Sequence, residues 1–180
     1  MTYGRYAAAV VGAWPEPVER VSSFLRESGV EARIHEFSDG TASAQDAADA
    51  VGCELGQIVK SLVFVCDERH VLALVPGDRR GDPEKVAQAV DASSARVANA
   101  HEVEEATGFA PGAVAPFPLL HVDTVLMDRA LYHHEIVWAG AGSAHHIMGI
   151  SPTELGRLAR VRPMDVAADP PYDSSTPKES

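Results

Sequence analysis

Lys60 interrupts the run "QIVKSLVF", Gln57 to Phe64. Ile58, Val59, Leu62, Val63, Phe64 and Val65 have the composition of a strand interior. A charged ammonium there costs several kcal/mol unless it reaches water or a partner. Either its stem carries the charge out to solvent from the strand's start, or it points into a pocket that binds an anion or a polarised oxygen. The second candidate is "GAVAP", Gly112 to Pro116, in a loop with three prolines, "FAPGAVAPFPLL". Proline stiffens such a loop and glycine lets it bend, so its backbone amides can approach a ligand closely. On the residues alone an ordinary surface connector is the favoured reading.

Other chemistry fails on spacing. The chain has eight histidines. His133–His134 and His145–His146 are adjacent pairs, and adjacent strand residues face opposite sides, so neither pair readily supplies two ligands to one ion. No HExxH occurs, and no metal is expected. Ser143 in "GAGSAH" lacks a G-x-S-x-G elbow. Gly140 to Gly142 is no dinucleotide fingerprint, so no cofactor is expected either. The strand context of Cys66 points to burial rather than to a nucleophile.

The elements that must position Lys60 and Gly112 follow from periodicity and caps. "EPVERVSSFLRESGV" has Val18, Val21, Phe24 and Leu25 at helical spacing, with Gly29 as stop. "EARIHEF" alternates as a strand. "TASAQDAADAVG" is a helix capped by Ser43, with Asp46 three residues on and Gly52 at its end. Gln57–Cys66 and Val71–Val75 read as a hairpin. Asp82 and Pro83 open a third helix. "ARVA" is a short strand, and Asn99, Glu102 and Gly108 frame a short helix. "LLHVDTVLM" reads as two strand pieces, and "EIVWAGAGSAHHIMGI" as strand, Gly-rich turn and strand. Ser151 and Pro152 open the last helix. The pattern predicts a mixed α/β (α+β) domain with a curved, partly antiparallel, barrel-like sheet flanked by short helices.

The 180 residues fit one domain, and 46% hydrophobic residues suffice for a core. Residues 1–15 read as an N-terminal extension rather than a signal peptide, 16–167 as the domain, and 168–180 as a disordered Pro/Ser-rich tail. No apolar run is long enough for a membrane span, and the reading of the start as an extension rather than a signal makes cytoplasmic the expected location. The two cysteines, Cys53 and Cys66, suit reduced core thiols. The net charge of −11 argues against gripping a long nucleic-acid backbone, but not against contact with a short end.

Four stretches, "TASAQDAADAVGCELGQIVKSLVF", "ALVPGDRR", "ARVANAHEVEEATGFAPGAVAPF" and "EIVWAGAGSAHHIMGISPTEL", resemble in order the YbaK family of aminoacyl-tRNA deacylases. These are freestanding relatives of the editing domain of bacterial prolyl-tRNA synthetase. The resemblance covers about Val18 to Val166. It implies a barrel-like mixed sheet and removal of a wrong small amino acid (Ala, Ser, Thr or Cys) from a tRNA 3′ end, with tRNA(Pro) as candidate carrier. It implies Lys60 and Gly112 as the catalytic pair, with Pro116 closing the G-x-x-x-P motif. Candidate pocket walls, by resemblance and position, are Ile58, Leu62, Phe117 and Met148. A pocket histidine near the last strands would be one of His133, His134, His145 or His146.

Ester hydrolysis builds negative charge on the carbonyl oxygen, which amides around Gly112 could stabilise. Lys60 could hold the terminal phosphate or that charge. Neither motif holds a general base, so the resemblance implies a water oriented by the substrate's own hydroxyl. Arg79, Arg80 and Lys85 form the compact basic group near the motifs. They predict weak binding confined to the acceptor end. The expected partners are mischarged tRNA and, as a further candidate, a synthetase. The alternatives are a catalytically silent tRNA- or synthetase-docking module and a hydrolase of small esters or thioesters.

Overall fold

The computed structural model describes residues 14–40 and 43–170. The expected extension and tail therefore lie mostly outside the described residues. The exceptions are Trp14 and Pro15 at one end and Ala168 to Pro170 at the other. The elements run α1 (Glu16–Glu27), β1 (Arg33–Glu36), α2 (Ala44–Val51), β2 (Ile58–Cys66), β3 (Arg69–Pro76), α3 (Pro83–Ala89), β4 (Ala95–Val97), α4 (Ala100–Thr107), β5 (Thr124–Asp128), β6 (Val137–Ser143), β7 (His146–Ile150), α5 (Pro152–Leu158) and β8 (Arg162–Met164). None of the described helices is long and apolar enough to cross a membrane.

The caps act as their sequences predict. Ser43 Oγ accepts the amide of Asp46, and Gly52 ends α2 in the left-handed region. Asp82 caps α3 ahead of Pro83, and Asn99 and Glu102 close a reciprocal capping box on α4. Ser151 caps α5 by accepting from Glu154 N. Two strand expectations are corrected. Only the second half of "LLHVDTVLM" is a strand. The first half is held irregular because His121 N donates to Ala106 O and Asp123 N to His70 O, while Leu120 stays 59% exposed. The glycines of "GAGS" lie within β6 rather than in its turn, which falls at Ala144 and His145. Strand β8 and a 3-10 turn at Arg129–His133 have no sequence reading, since such short elements leave no periodicity to find.

The sheet runs β1-β7-β6-β2-β3-β5-β8, with β4 also paired to β2. β2/β6, β3/β5 and β5/β8 are parallel and the other pairs antiparallel. Both faces are covered. Val59 and Val63 of β2 face the main core with Val21 and Leu25 of α1, Ala106 of α4 and Leu155 of α5. The opposite face carries two separate clusters. Ile58 and Ile147 pack beneath Ala47 and Ala48 of α2. Phe64, Val71 and Ala73 pack beneath Val86 of α3 and Val90, which caps its C-terminus. Period-2 alternation thus places Lys60 between these clusters, on the face where the covering layer is split between α2 and α3.

Behind α3 the C-terminal segment is tied down by buried Asp128, 4% exposed. Its carboxylate accepts from Val166 N and Ala167 N, both at 3.0 Å, and from Ala130 N at 3.0 Å. The segment then holds the loop after β3: Ala168 N donates to Arg80 O at 2.7 Å, and Arg79 Nε donates to Ala168 O at 2.8 Å. These bonds involve Ala168, one residue past the expected boundary at 167. Asp128→Ala would leave these amides without their acceptor and is expected to cost roughly 2–4 kcal/mol. Denaturant titration measures that cost. A variant as stable as the wild type would remove Asp128 from this role.

Candidate active site

Strand β2 changes neighbours along one edge. The parallel pairing to β6 covers Ile58↔Trp138 and Val59↔Ala139 and goes no further. Pairing to β4 begins near Val63, whose carbonyl accepts Ala98 N at 2.9 Å, and covers Phe64 to Cys66. Between these two, around Ser61, the edge is open. A cleft of about 300 Å³ occupies the opening. It is lined by Val59 to Leu62 of β2, Ala44 and Ala47 of α2, Trp138 and Gly140 of β6, Ile147 of β7, and Gly112 and Val114 of the loop after α4. Ser61 Oγ is buried there with no hydrogen-bond partner among the described residues.

Lys60 lines this cleft, and its ammonium donates to the carbonyl of Arg79. Burial holds its pKa below the ordinary lysine range; the positive charge of Arg80 adds to that shift and Asp78 opposes it. The strand interior therefore tolerates the charge by a backbone acceptor and an open cleft, not by a paired carboxylate at contact distance.

Gly112 sits at a turn made by Ala110 to Ala113, closed by Ala113 N donating to Ala110 O at 2.9 Å. Pro111 stands at the second position and Gly112, with φ of 79°, at the third, the residue order of a type II turn. Space beside Gly112 is open, so its requirement is conformational rather than steric. Two residues on, the loop lies directly on the sheet: a Cβ built at Gly140 would meet Val114 O at 2.7 Å.

Of the other expected residues, Ile58 and Leu62 line the cleft. Phe117 and Met148 do not, which corrects them as pocket walls, and neither does Pro116, the expected substrate-binding end of the motif. Phe117 turns into the main core and stacks on Phe24 with centroids 4.9 Å apart, and Met148 is fully buried in the same core. Pro116 is buried against a groove on the far side of the loop, together with Phe24 and Arg162. None of the four candidate histidines lines the cleft. His146 is 2% exposed; its Nδ1 lies 2.6 Å from Ser143 Oγ, its Nε2 is 3.8 Å from Glu36, and Trp14 packs on its ring. His145 Nδ1 bonds Phe37 O at 2.9 Å. Among the described residues no group of three potential ligands could hold a metal ion.

Trp138 is one of several cleft positions, with Val114, Gly140 and Ile147, that sequence reading missed. Its ring lies over Gly149, where a Cβ would come within 2.9 Å of it, and His35 meets it edge-on at 5.0 Å. Alternation along β6 puts Trp138 and Gly140 on one face, and that was the available signal. The expected basic group is also dispersed. Arg79 is engaged with Ala167 and Ala168, and Lys85 with Asp165, Asp169 and Ala167 O. Arg80 is exposed and close enough to act on the charge of Lys60. A wider, shallower depression of about 580 Å³ beside Phe37 carries Asp39, Asp46 and Asp49, a sign of charge that repels phosphate.

Two outcomes follow from this geometry. Gly112→Ala should cost roughly 1 kcal/mol through the positive φ while leaving the fold intact; thermal denaturation and far-UV circular dichroism together check this. Burial depresses the His146 pKa, against an opposing effect of Glu36. The unfolded chain then binds this proton more readily, so stability is full above the unfolded histidine value of about 6.5 and declines as pH falls through it. Unfolding free energies at pH 7.5 and 5.5 should differ less in His146→Gln than in the wild type, and an unchanged difference would contradict the assignment.

The comparisons bear on what this cleft does. Residues 38–158 match the model of the aminoacyl-tRNA editing domain. The uncharacterized protein YwhH of Bacillus subtilis is 32% identical over 127 residues, 70% of this chain and 80% of that protein. The proline–tRNA ligase of Lactobacillus johnsonii is 30% identical over 107 residues, 59% of this chain but 19% of the ligase. A crystal structure of a proposed trans-editing enzyme for prolyl tRNA synthetase superposes with a TM-score of 0.82 at 34% identity, covering 87% of this chain and 100% of that one.

Proposed function

The chain belongs to the aminoacyl-tRNA editing domain family, and we propose that it hydrolyses, in trans, the ester of tRNA mischarged with a small amino acid, using the cleft at the open edge of β2. The observation that carries the reading is the meeting of Lys60 and the Gly112 turn in one cleft, although 52 positions separate them in sequence (112 − 60). The 3′ end of tRNA, with its terminal adenosine esterified through the ribose, enters this cleft. The shortage of free basic side chains around it suits an acceptor-end contact and not a long footprint.

Water adds to the ester carbonyl carbon, charge builds on the carbonyl oxygen, and the bond to the ribose oxygen breaks. The amino acid leaves as carboxylate; of the two protons of the water, one goes to the released ribose oxygen, which becomes a hydroxyl, and the other goes to solvent. Among the described residues the amides of Gly112 and Val114, which line the cleft, donate to no backbone acceptor. They are the candidate donors to the developing oxyanion, and one such donor is typically worth about 100- to 1,000-fold in rate. Lys60 supplies the cation, either to the terminal phosphate or to that oxygen. Among the described residues no histidine and no carboxylate lines the cleft, so the attacking water is oriented by the ribose hydroxyl next to the ester. The apolar walls of Ile58, Val114, Trp138 and Ile147 select by size. Such walls discriminate by roughly 1–3 kcal/mol per methylene. The amino acid and the tRNA, with tRNA(Pro) the first candidate, are to be named by assay.

That assay charges tRNA(Pro), tRNA(Ala) and tRNA(Thr) with cognate and near-cognate small amino acids and follows release of label. We expect rapid loss of one mischarged species and a fall of about 100-fold or more in Lys60→Ala, in line with loss of a preorganised charge. Release from no species by the wild-type protein would favour a silent docking module. Release that deacylated tRNA cannot inhibit would favour a hydrolase of small esters.

A further inference from the structure

An aminoacyl ester differs from an ordinary ester by the ammonium on its α-carbon. That group needs an acceptor once it leaves water. Among the described residues no carboxylate lines the cleft. It does contain one backbone carbonyl that is placed by an unusual contact and otherwise unused. Val114 O lies over Gly140 so closely that a Cβ there would come within 2.7 Å of it. Among the described residues no backbone or side-chain donor bonds this carbonyl. Both Val114 and Gly140 line the cleft.

The register explains why the carbonyl is left free. If the parallel pairing of β2 and β6 continued past Val59↔Ala139, Gly140 would stand opposite Lys60. The pairing stops, and the loop carbonyl occupies the space that a side chain at 140 would fill. Lys60 does not reach for it. Its stem leans the other way, across β3, to the carbonyl of Arg79. The cleft therefore presents a donor on its β3 side and an acceptor on its β6 side.

We propose, building on the deacylase reading, that Val114 O receives the α-ammonium of the substrate and restricts the enzyme to aminoacyl esters with a free amino group. Peptidyl, formyl and acetyl derivatives are excluded, since an acylated nitrogen keeps a single hydrogen and places its acyl group against Gly140. Gly140 is then a positioning residue that keeps the carbonyl seated. The shared ester chemistry would otherwise leave a peptidyl-tRNA or an initiator tRNA open to the same attack.

The test compares two non-hydrolysable tRNAs on the full chain: one carrying alanine through a 3′-amide, the other carrying N-acetylalanine through the same linkage. Deacylated tRNA sets the baseline. The free-amine form should bind at least 10-fold more tightly than the acetylated one, and Gly140→Ala should shrink that ratio toward 1. Equal binding of the two forms, both above baseline, would overturn this inference and leave the deacylase reading standing. Binding of neither above baseline would overturn both. The comparison in wild-type protein holds even if Gly140→Ala folds poorly.

Discussion

A strand that changes partners part-way along must leave some of its edge unpaired. Here β2 pairs with β6 as far as Val59 and with β4 from Phe64. Backbone groups in that gap lack a ladder partner and need water or another partner. Among the described residues the loop after α4 lines the gap without pairing to it: Val114 seats on Gly140, and Gly112 borders the opening. Because the covering layer on that face is also divided, between α2 and α3, the opening reaches solvent and becomes a cleft rather than a void.

Lys60 is affordable in this place because of contacts made far from it. Asp128 fixes Val166 and Ala167; these hold the loop at Arg79 and Arg80; and Arg79 then offers its carbonyl to the ammonium. The side chains of Arg79 and Lys85 are used up in that scaffold. The acidic overall charge and the sparse free cations thus agree with recognition of a short substrate end.

Much of this was legible in the residues. Caps at Ser43, Asp82, Asn99 and Ser151 are local signals, each set by one side chain and the amides that follow it. Lys60 and Gly112 stood out because each breaks a local rule, a charge within a strand and a glycine within a proline-rich loop. Trp138 breaks no rule: an aromatic residue in a strand reads as core, and only the register beside Ile58 brings it to the cleft. Phe117 and Met148 failed for the converse reason. Phe117 stands beside the G-x-x-x-P motif and Met148 was named by resemblance and position, but neither ground says which side of the loop or sheet a side chain takes, and both take the main core. The open edge of β2 is a long-range property of three strands and has no signature in any one of them.

The claim at the centre of this account is that substrate binds where β2 loses its neighbour. The direct measurement is an amide chemical-shift map of the full chain titrated with a non-hydrolysable 3′-aminoacylamido adenosine. The account predicts the largest changes at Lys60, Ser61, Gly112, Val114 and Gly140, with the far groove beside Phe24 and Arg162 unmoved. Changes centred on that groove, or on the acidic depression at Asp39 and Asp46, with the β2 edge silent, would contradict it.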